Sequence, residues 1–533
     1  MNAWDLFVFR KAREQLSTQT LLEDLRNTTD AADALVRAGE LETGLADADS
    51  DATAAMAAIV DSHAEALCQA GPGQSAMLKM ALPETILCGH TEGFSFYGLH
   101  PLDFADLADA IHTKLPPAVA IIGIRSAGAV LSAVVKAVLQ SHGKKADRIT
   151  VRPRGEPYQR IASFTAAQLA WIQQRRNADF LIVDEGPGFS GSTFLSVAAA
   201  LSSAGVPHTQ IALMGSRPFD SIQRNAQWRT FNIAYGRRGP ADAKTCIGNG
   251  YWRQHLYPEL SHWPACWTEM ERAKHLSADG ECFLKFEGFG RYGERARQQA
   301  TILAEEKFSP RCNEFDSGYA RYDFVKARPL RPEDASPALL AHIARYCAFR
   351  AQSLPAPAAT VDTRSLSNML QRNLALCNNG AIPESYWNGQ SATKADATSI
   401  PVERPVYADC CMRPHEWLQT PAGQILKTDA VGHAEGHLLP GPVDIAWDLA
   451  GAILEWRLNP AQTDFFLNEY RRQSHDNARN RLDQYLLLYA VFRMAFTSMG
   501  ATSMAAWRES KYLRRDSDWY ASQTNKFLQP AAA

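Results

Sequence analysis

No apolar run in this 533-residue chain reaches the length of a membrane span. The stretch MNAWDLFVFRKAREQL lacks the basic, apolar and small-residue order of a secretory signal. The ten cysteines are scattered with no Cys-x-x-Cys spacing, and the adjacent pair Cys410–Cys411 is poor geometry for one zinc ion. These absences predict reduced thiols in a cytoplasmic protein without a membrane partner. Strong charge of one sign is missing too: 55 Lys and Arg face 57 Asp and Glu, a net charge of −2. That balance gives no electrostatic footprint for nucleic acid. No internal repeat or low-complexity tract appears, and the length suggests about two to four domains.

What the chain does have is a strand, a small-residue loop and a helix start in sequence. Phe180 to Val183 read as a strand buried on both faces, ending at two adjacent carboxylates, Asp184 and Glu185. Gly188, Ser190, Gly191, Ser192 and Thr193 follow, then a helix. Backbone N–H groups at such a helix start favour an anion. The acidic pair could accept hydrogen bonds from two sugar hydroxyls or hold a metal. No Gly-Lys-Ser/Thr stands in this loop, which excludes a Walker A site. Val119 to Ile124 form a second buried strand, followed by Arg125, Ser126, Ala127 and Gly128 and a small-residue helix. Open α/β sheets place ligands at such strand ends. Lys144 and Lys145 precede a strand that leads to Arg152 and Arg154, a basic loop placed to close over an anion or a solvated turn. Gln210 to Ser216 supply a further strand, with Arg217 at its end. The expected architecture here is α/β, a doubly wound parallel sheet. Residues 1–80 read as helical, a cap or a homodimer surface, and residues 86–99 as a hood or a core hairpin.

The 180–193 stretch resembles the phosphoribosyl-pyrophosphate motif of type I phosphoribosyltransferases, with Gly186-Pro187-Gly188 lengthening the loop. The resemblance implies that Asp184 and Glu185 meet the ribose diol and that Gly188 and residues 190–193 meet the 5′-phosphate. It also implies that Arg125, Ser126, Ala127 and Gly128 face pyrophosphate, whose charge Mg²⁺ offsets, while Arg152 and Arg154 close over it. Phosphoribosyl pyrophosphate would be the co-substrate and a nitrogenous base the acceptor.

A second pattern begins after a Gly-, Pro-, Trp- and His-rich connector at 237–267, whose His255 and His262 read as structural. The turn Ser277-Ala-Asp-Gly280 sits between two short strands, the second carrying Lys285. A helix over 291–306 carries Glu294, and a strand pair follows near 319–325. Further on, Tyr407-Ala-Asp409 precedes a hairpin that ends at Asp429, and Asp444-Ile-Ala-Trp-Asp448-Leu-Ala450 follows. Two aspartates separated by a hairpin can converge on one site. Residues 454–527 show the apolar spacing of packed helices.

This half resembles the aminoglycoside-phosphotransferase and choline-kinase-like family of small-molecule kinases. The resemblance implies an α+β, two-lobed, protein-kinase-like domain using ATP and Mg²⁺. Asp409 would be the base and Asp429 the metal ligand. Lys285, paired with Glu294, would hold the ATP phosphates near His415, and Asp448 would brace the catalytic loop. Two departures stand out. Pro414 occupies the place of an expected Asn, and no Gly-rich loop precedes Lys285, although Gly288-Phe-Gly290 follows it. His433 and His437, in the loop after Asp429, could touch substrate or metal, but read more readily as unpaired surface histidines. The expected layout is a helical region at 1–80, a phosphoribosyltransferase-like domain at 81–245 and a kinase-like domain at 246–533. The expected function is a bifunctional enzyme acting on small molecules. Its rivals are a regulatory phosphoribosyl-pyrophosphate sensor and a kinase carried on a scaffold.

Overall fold

The computed structural model describes residues 5–9, 13–69, 81–89, 91–156, 159–188, 190–220, 228–234, 238–377, 400–436 and 438–528. His437 therefore lies outside the described residues. Arg13–Ser17 (β1) pairs antiparallel with Thr85–Gly89 (β2). β1 falls where helix was expected. Its side chains alternate between exposed and half-buried, and pairing with β2 overrides the helical preference of the local sequence.

Ala118–Ile124 (β3), Lys145–Val151 (β4), Asp179–Val183 (β5), Ile211–Gly215 (β6) and Arg229–Asn232 (β7) form an all-parallel sheet in the order β4-β3-β5-β6-β7. Successive side chains of a strand point to opposite faces, and both faces here are covered. Ile121, Leu181, Val183 and Met214 pack with helices Ala31–Asp47, Thr53–Gln69 and Ala127–Ser141. Ile122, Phe180, Ile182 and Leu213 pack with helix Ser192–Ser203. The sheet is thus doubly wound. Strand order reverses between β3 and β5, which opens a crevice at their carboxyl ends, the usual ligand position of such sheets. Gly128 belongs there for want of space: a Cβ on it would lie 2.7 Å from the Val183 carbonyl oxygen.

The helices of the first sixty-nine residues are fixed to this sheet by charge as well as apolar contact. Arg148, on β4 and buried, donates from its two terminal nitrogens to Glu42 at 3.0 and 2.8 Å and also pairs with Asp61.

Ala243–Cys246 (β8), Lys274–Ser277 (β9), Cys282–Phe286 (β10), Cys312–Asp316 (β11) and Tyr319–Asp323 (β12) build an antiparallel sheet in the order β11-β12-β10-β9-β8. β8 straddles residue 245, so the edge strand of the second sheet begins before the boundary expected from composition. Helix Gly290–Glu305 links this sheet to the first half. Its first residues meet helix Ala31–Asp47: Gly290 N–H donates to Asp33, Arg291 reaches Glu40 at 2.8 Å and Arg37 reaches Glu294 at 3.0 Å.

The remaining chain is mainly helical, around a core that includes Trp447, Tyr489 and Phe492. Residues 5–9 enter that core. Phe9 lies 5.4 Å, ring to ring, from Phe492, and Asn373 accepts from Phe7 N–H while donating to its carbonyl, at 2.9 and 2.6 Å. Among the described residues no helix is long and apolar enough to cross a membrane.

Candidate active sites

The cleft between the antiparallel sheet and the helices gathers charge from distant segments. Strand Ile425–Lys427 delivers Asp429, whose backbone turns left-handed (φ 55°) and so leaves the strand. Its Oδ2 accepts from Lys274 Nζ at 2.9 Å, and its Oδ1 lies 2.5 Å from Lys285 Nζ. Lys285 also meets Glu287 Oε1 at 2.9 Å and donates to the Val431 carbonyl at 3.2 Å. The expected Lys285–Glu294 pair does not form. The first turn of helix Gly290–Glu305 faces Arg37, whereas Glu287 stands two residues past Lys285 and shares its side of the extended chain. Burial acts to raise the Asp429 carboxyl, but Lys274, Lys285 and His433 outweigh it and hold it well below the usual carboxylate range.

Asp409 is fully buried. It accepts from the Tyr346 hydroxyl and, at 3.2 Å, from Cys411 N–H, and Lys427 Nζ is 3.4 Å away. The loop behind it is braced twice. Asp448 accepts the amides of Asp409 and Cys410, both at 2.8 Å, and Arg350 donates to Tyr346 Oη and to the carbonyls of Tyr407 and Ala430.

His433 is not a surface residue. Its side chain is 22% exposed, with Nε2 3.3 Å from Asp429 Oδ2 and Nδ1 3.8 Å from Asp409 Oδ1. Desolvation works against its protonation, yet the two aspartates prevail and raise its pKa above the ordinary 6.5. Stability from a raised group is fully present below the unfolded value and is lost as pH rises through the folded one. The thermal midpoint of wild type should therefore fall more steeply above pH 6.5 than that of His433→Gln. Melting both proteins across that range tests this, and parallel curves would remove the contribution.

His415 lies in the cleft wall, stacked on Trp252 at 5.7 Å between centroids. Burial, with Arg413 beside it, pushes its pKa down to about 3, so it stays neutral. The cavity measures about 290 Å³, and Phe96 and Tyr97 of the first half contribute to its lining. Mg²⁺ takes carboxylate oxygens, and Asp429 offers this cavity a carboxylate that Lys274 and Lys285 hold ionised.

The crevice of the parallel sheet is the second site. Asp184 and Glu185 leave β5 half-buried, and Glu185 Oε2 accepts from Gly93 N–H at 2.8 Å. Gly191 is left-handed (φ 61°) as it enters the helix, and Ser190 Oγ accepts from Ser192 N–H at 3.3 Å. Gly188 is exposed and Thr193 half-buried. Across the crevice, Ser126 precedes the helix that begins at Ala127 and Gly128. Arg125 Nη1 and Arg152 Nη2 converge on Asp47 at 2.9 and 2.8 Å, with Arg13 at 3.8 Å. Arg13, Arg152, Arg154 and Arg160 line a cleft of about 530 Å³ that holds one acid, Asp47. Desolvation and then neighbouring Arg152 depress the pKa of both Arg13 and Arg160; for Arg125, desolvation leads and Arg152 adds to it, against Asp47.

Three members of these sites had no sequence signal. Lys274 depends on cross-strand register, Glu287 on the path after β10, and Asp47 on a helix far from the arginines it holds.

No family model and no curated protein matches the chain. Solved structures with weak overlap include the choline kinase LicA from Streptococcus pneumoniae, at 14% identity and TM-score 0.31 over 47% of this chain and 89% of that one. A choline/ethanolamine kinase family protein from Mesorhizobium loti overlaps at 15% identity and TM-score 0.33, over 48% and 88% of the two chains. A putative aminoglycoside phosphotransferase from Ralstonia eutropha gives 13% and 0.32, over 52% and 96%. Overlaps this weak decide nothing about activity.

Proposed function

We propose that the cleft transfers a phosphoryl group from ATP to a hydroxyl of a small molecule. The observation that carries this reading is the convergence of Asp429 and the buried Asp409 on His433, with Asp429, His433 and Lys285 lining the cavity. Catalysis of this reaction consists largely of positioning and charge stabilisation, and the cleft supplies both. Lys285 holds the phosphates, and Asp429 is the ligand for Mg²⁺, which supplies charge neutralisation when bound. The acceptor oxygen bonds to phosphorus as the bond to the leaving oxygen breaks, ADP departs, and the hydroxyl proton passes to Asp409. The braces from Asp448 and Arg350 fix that carboxylate. The mostly apolar walls of the cleft limit water at the reacting atoms, which limits loss of the phosphoryl group to hydrolysis.

The parallel-sheet crevice supports a second reading, phosphoribosyl transfer. What favours it is an acidic strand end, Asp184 and Glu185, at the switch point, together with Arg125 and Arg152, which follow the neighbouring strands β3 and β4 and converge on Asp47. There the acids would hold the ribose hydroxyls, the 190–193 loop the 5′-phosphate and the arginines the pyrophosphate. A nitrogen nucleophile would displace pyrophosphate at the anomeric carbon.

Both readings meet one experiment. Thermal stability is measured with MgATP and with magnesium phosphoribosyl pyrophosphate on wild type, Asp184→Asn and Asp429→Asn. A ligand at about a hundred times its dissociation constant stabilises by roughly 2.7 kcal/mol. Each shift should vanish only in its own variant. No shift of wild type by MgATP would sink the phosphotransfer reading. No shift by phosphoribosyl pyrophosphate would make the first half a scaffold.

A further inference from the structure

Lys274 and Lys285 are register partners on β9 and β10. Directly opposed residues of a strand pair lie on the same face, and like charges there repel. Both lysines are also buried, at 7% and 1% exposure, where an ammonium group without a counter-charge is costly. Each lysine has one acid that the other does not touch, Glu271 for Lys274 and Glu287 for Lys285, both at 2.9 Å, with Glu287 also holding Arg272 at 3.1 Å. They share a third acid, and that acid is Asp429, with one lysine on each of its oxygens. His433 Nε2 stands 3.3 Å from the same carboxylate.

The metal ligand of the proposed reaction is thus enclosed by cations. A divalent ion approaching Asp429 alone would meet two ammonium groups, one on each carboxylate oxygen. A polyphosphate chain carries more negative charge than one carboxylate and offers each lysine stronger charge-assisted hydrogen bonds. We propose that Lys274 and Lys285 form a clamp closed on Asp429, which nucleotide phosphates open by drawing the lysines away, so that metal ligation at Asp429 is conditional on nucleotide. This inference rests on the phosphotransfer reading of the cleft. Lys274 is a positioning residue in this scheme: it keeps the carboxylate turned in until the phosphates arrive. By linkage, the factor by which nucleotide tightens the metal equals the factor by which metal tightens nucleotide.

The test uses Mn²⁺ as the probe on the full chain, read by electron paramagnetic resonance, with and without a non-hydrolysable ATP analogue. The analogue's own binding is titrated separately, and Mn²⁺ held by free analogue is subtracted. In wild type the analogue should tighten Mn²⁺ by a factor in the range of about 5 to 150. Lys274→Met leaves Asp429 Oδ2 without its ammonium partner, so Mn²⁺ should bind more tightly without nucleotide and the enhancement should shrink. Lys274→Arg, which keeps the charge, should restore conditional binding, and Asp429→Asn should abolish Mn²⁺ binding at this site, leaving the free-Mn²⁺ signal undiminished. Analogue binding with unchanged Mn²⁺ affinity in wild type overturns the clamp alone. So does a Lys274→Met protein with undiminished enhancement. Absence of analogue binding to wild type sinks the phosphotransfer reading and the clamp with it. If Lys274→Met fails to fold, the wild-type comparison decides.

Discussion

Asp409→Asn and Asp429→Asn should each lower ADP formation from ATP by about 10²- to 10⁴-fold, the range expected when a positioned acid–base group is lost, taken here for the metal ligand as well. Both substitutions keep side-chain size and change only charge and donor pattern. At Asp409 the new amide would face Lys427 and the Tyr346 hydroxyl, and the site would have lost its proton acceptor. At Asp429 the amide would face Lys274 and Lys285 and offer a metal only a weak ligand. The two losses should differ in kinetic form. Asp409→Asn should reduce kcat with little change in KM for ATP, because the carboxylate acts on the acceptor. Asp429→Asn should reduce kcat and raise the Mg²⁺ concentration needed for half-maximal rate. Steady-state rates across Mg²⁺ and ATP, with circular dichroism to verify folding, measure both. A kcat within about tenfold of wild type, some 1.4 kcal/mol of barrier, in either variant would deny that residue its role.

Arg148→Met carries the largest expected effect on stability, a loss of about 3–5 kcal/mol, because it strands a buried carboxylate. Glu42 is buried and takes both terminal nitrogens of Arg148, and Asp61 takes the Nε. The methionine fills much of the volume but leaves Glu42 charged and unpaired between helix and sheet. Lys136→Met is the control. It breaks a contact to the same Asp61 at 2.6 Å, but both side chains there are 17% exposed, and a pair in reach of water is worth about 0–1 kcal/mol. Hydrogen exchange of amides in residues 118–151 should show accelerated opening in the first variant and near-wild-type protection in the second. Equal protection in both would mean that Glu42 is accommodated another way.

The middle of the parallel sheet, β3, β5 and β6, is readable because these strands are buried on both faces, so their apolar runs are continuous, with Arg125, Asp184 and Glu185 marking strand ends, whereas the half-buried β7 carries no such run. The hairpin around residues 277–280 was readable from its turn chemistry, and Asp409 and Asp429 from their spacing about a second hairpin. The partners of those residues were not. Whether Lys285 meets Glu294 or Glu287 is set by where helix Gly290–Glu305 is pinned, and the pins, Asp33 and Glu40, lie in another part of the chain. His433 looked like a surface residue because nothing in its neighbours encodes the fold of the loop around it. β1 was missed for the same reason: its pairing with β2 is tertiary, and the local sequence argues for helix. Asp47 could not be matched to Arg125 without knowing that helix Ala31–Asp47 ends at the sheet's carboxyl edge.

The insertion of residues 5–9 into the distant helical core bears on how the chain is made. Phe7 and Asn373 are 366 positions apart, so at roughly 5–20 residues per second the early segment waits on the order of 20–70 s for its partner to be synthesised. Until then Leu6, Val8 and Phe9 stay without the packing that buries them, a hydrophobic tail open to chaperones. The parallel sheet, by contrast, closes from segments made in close succession. Cutting the chain between its halves would leave the helical core short of a piece carried by the other fragment, so the halves should be produced together or with residues 5–9 supplied in trans.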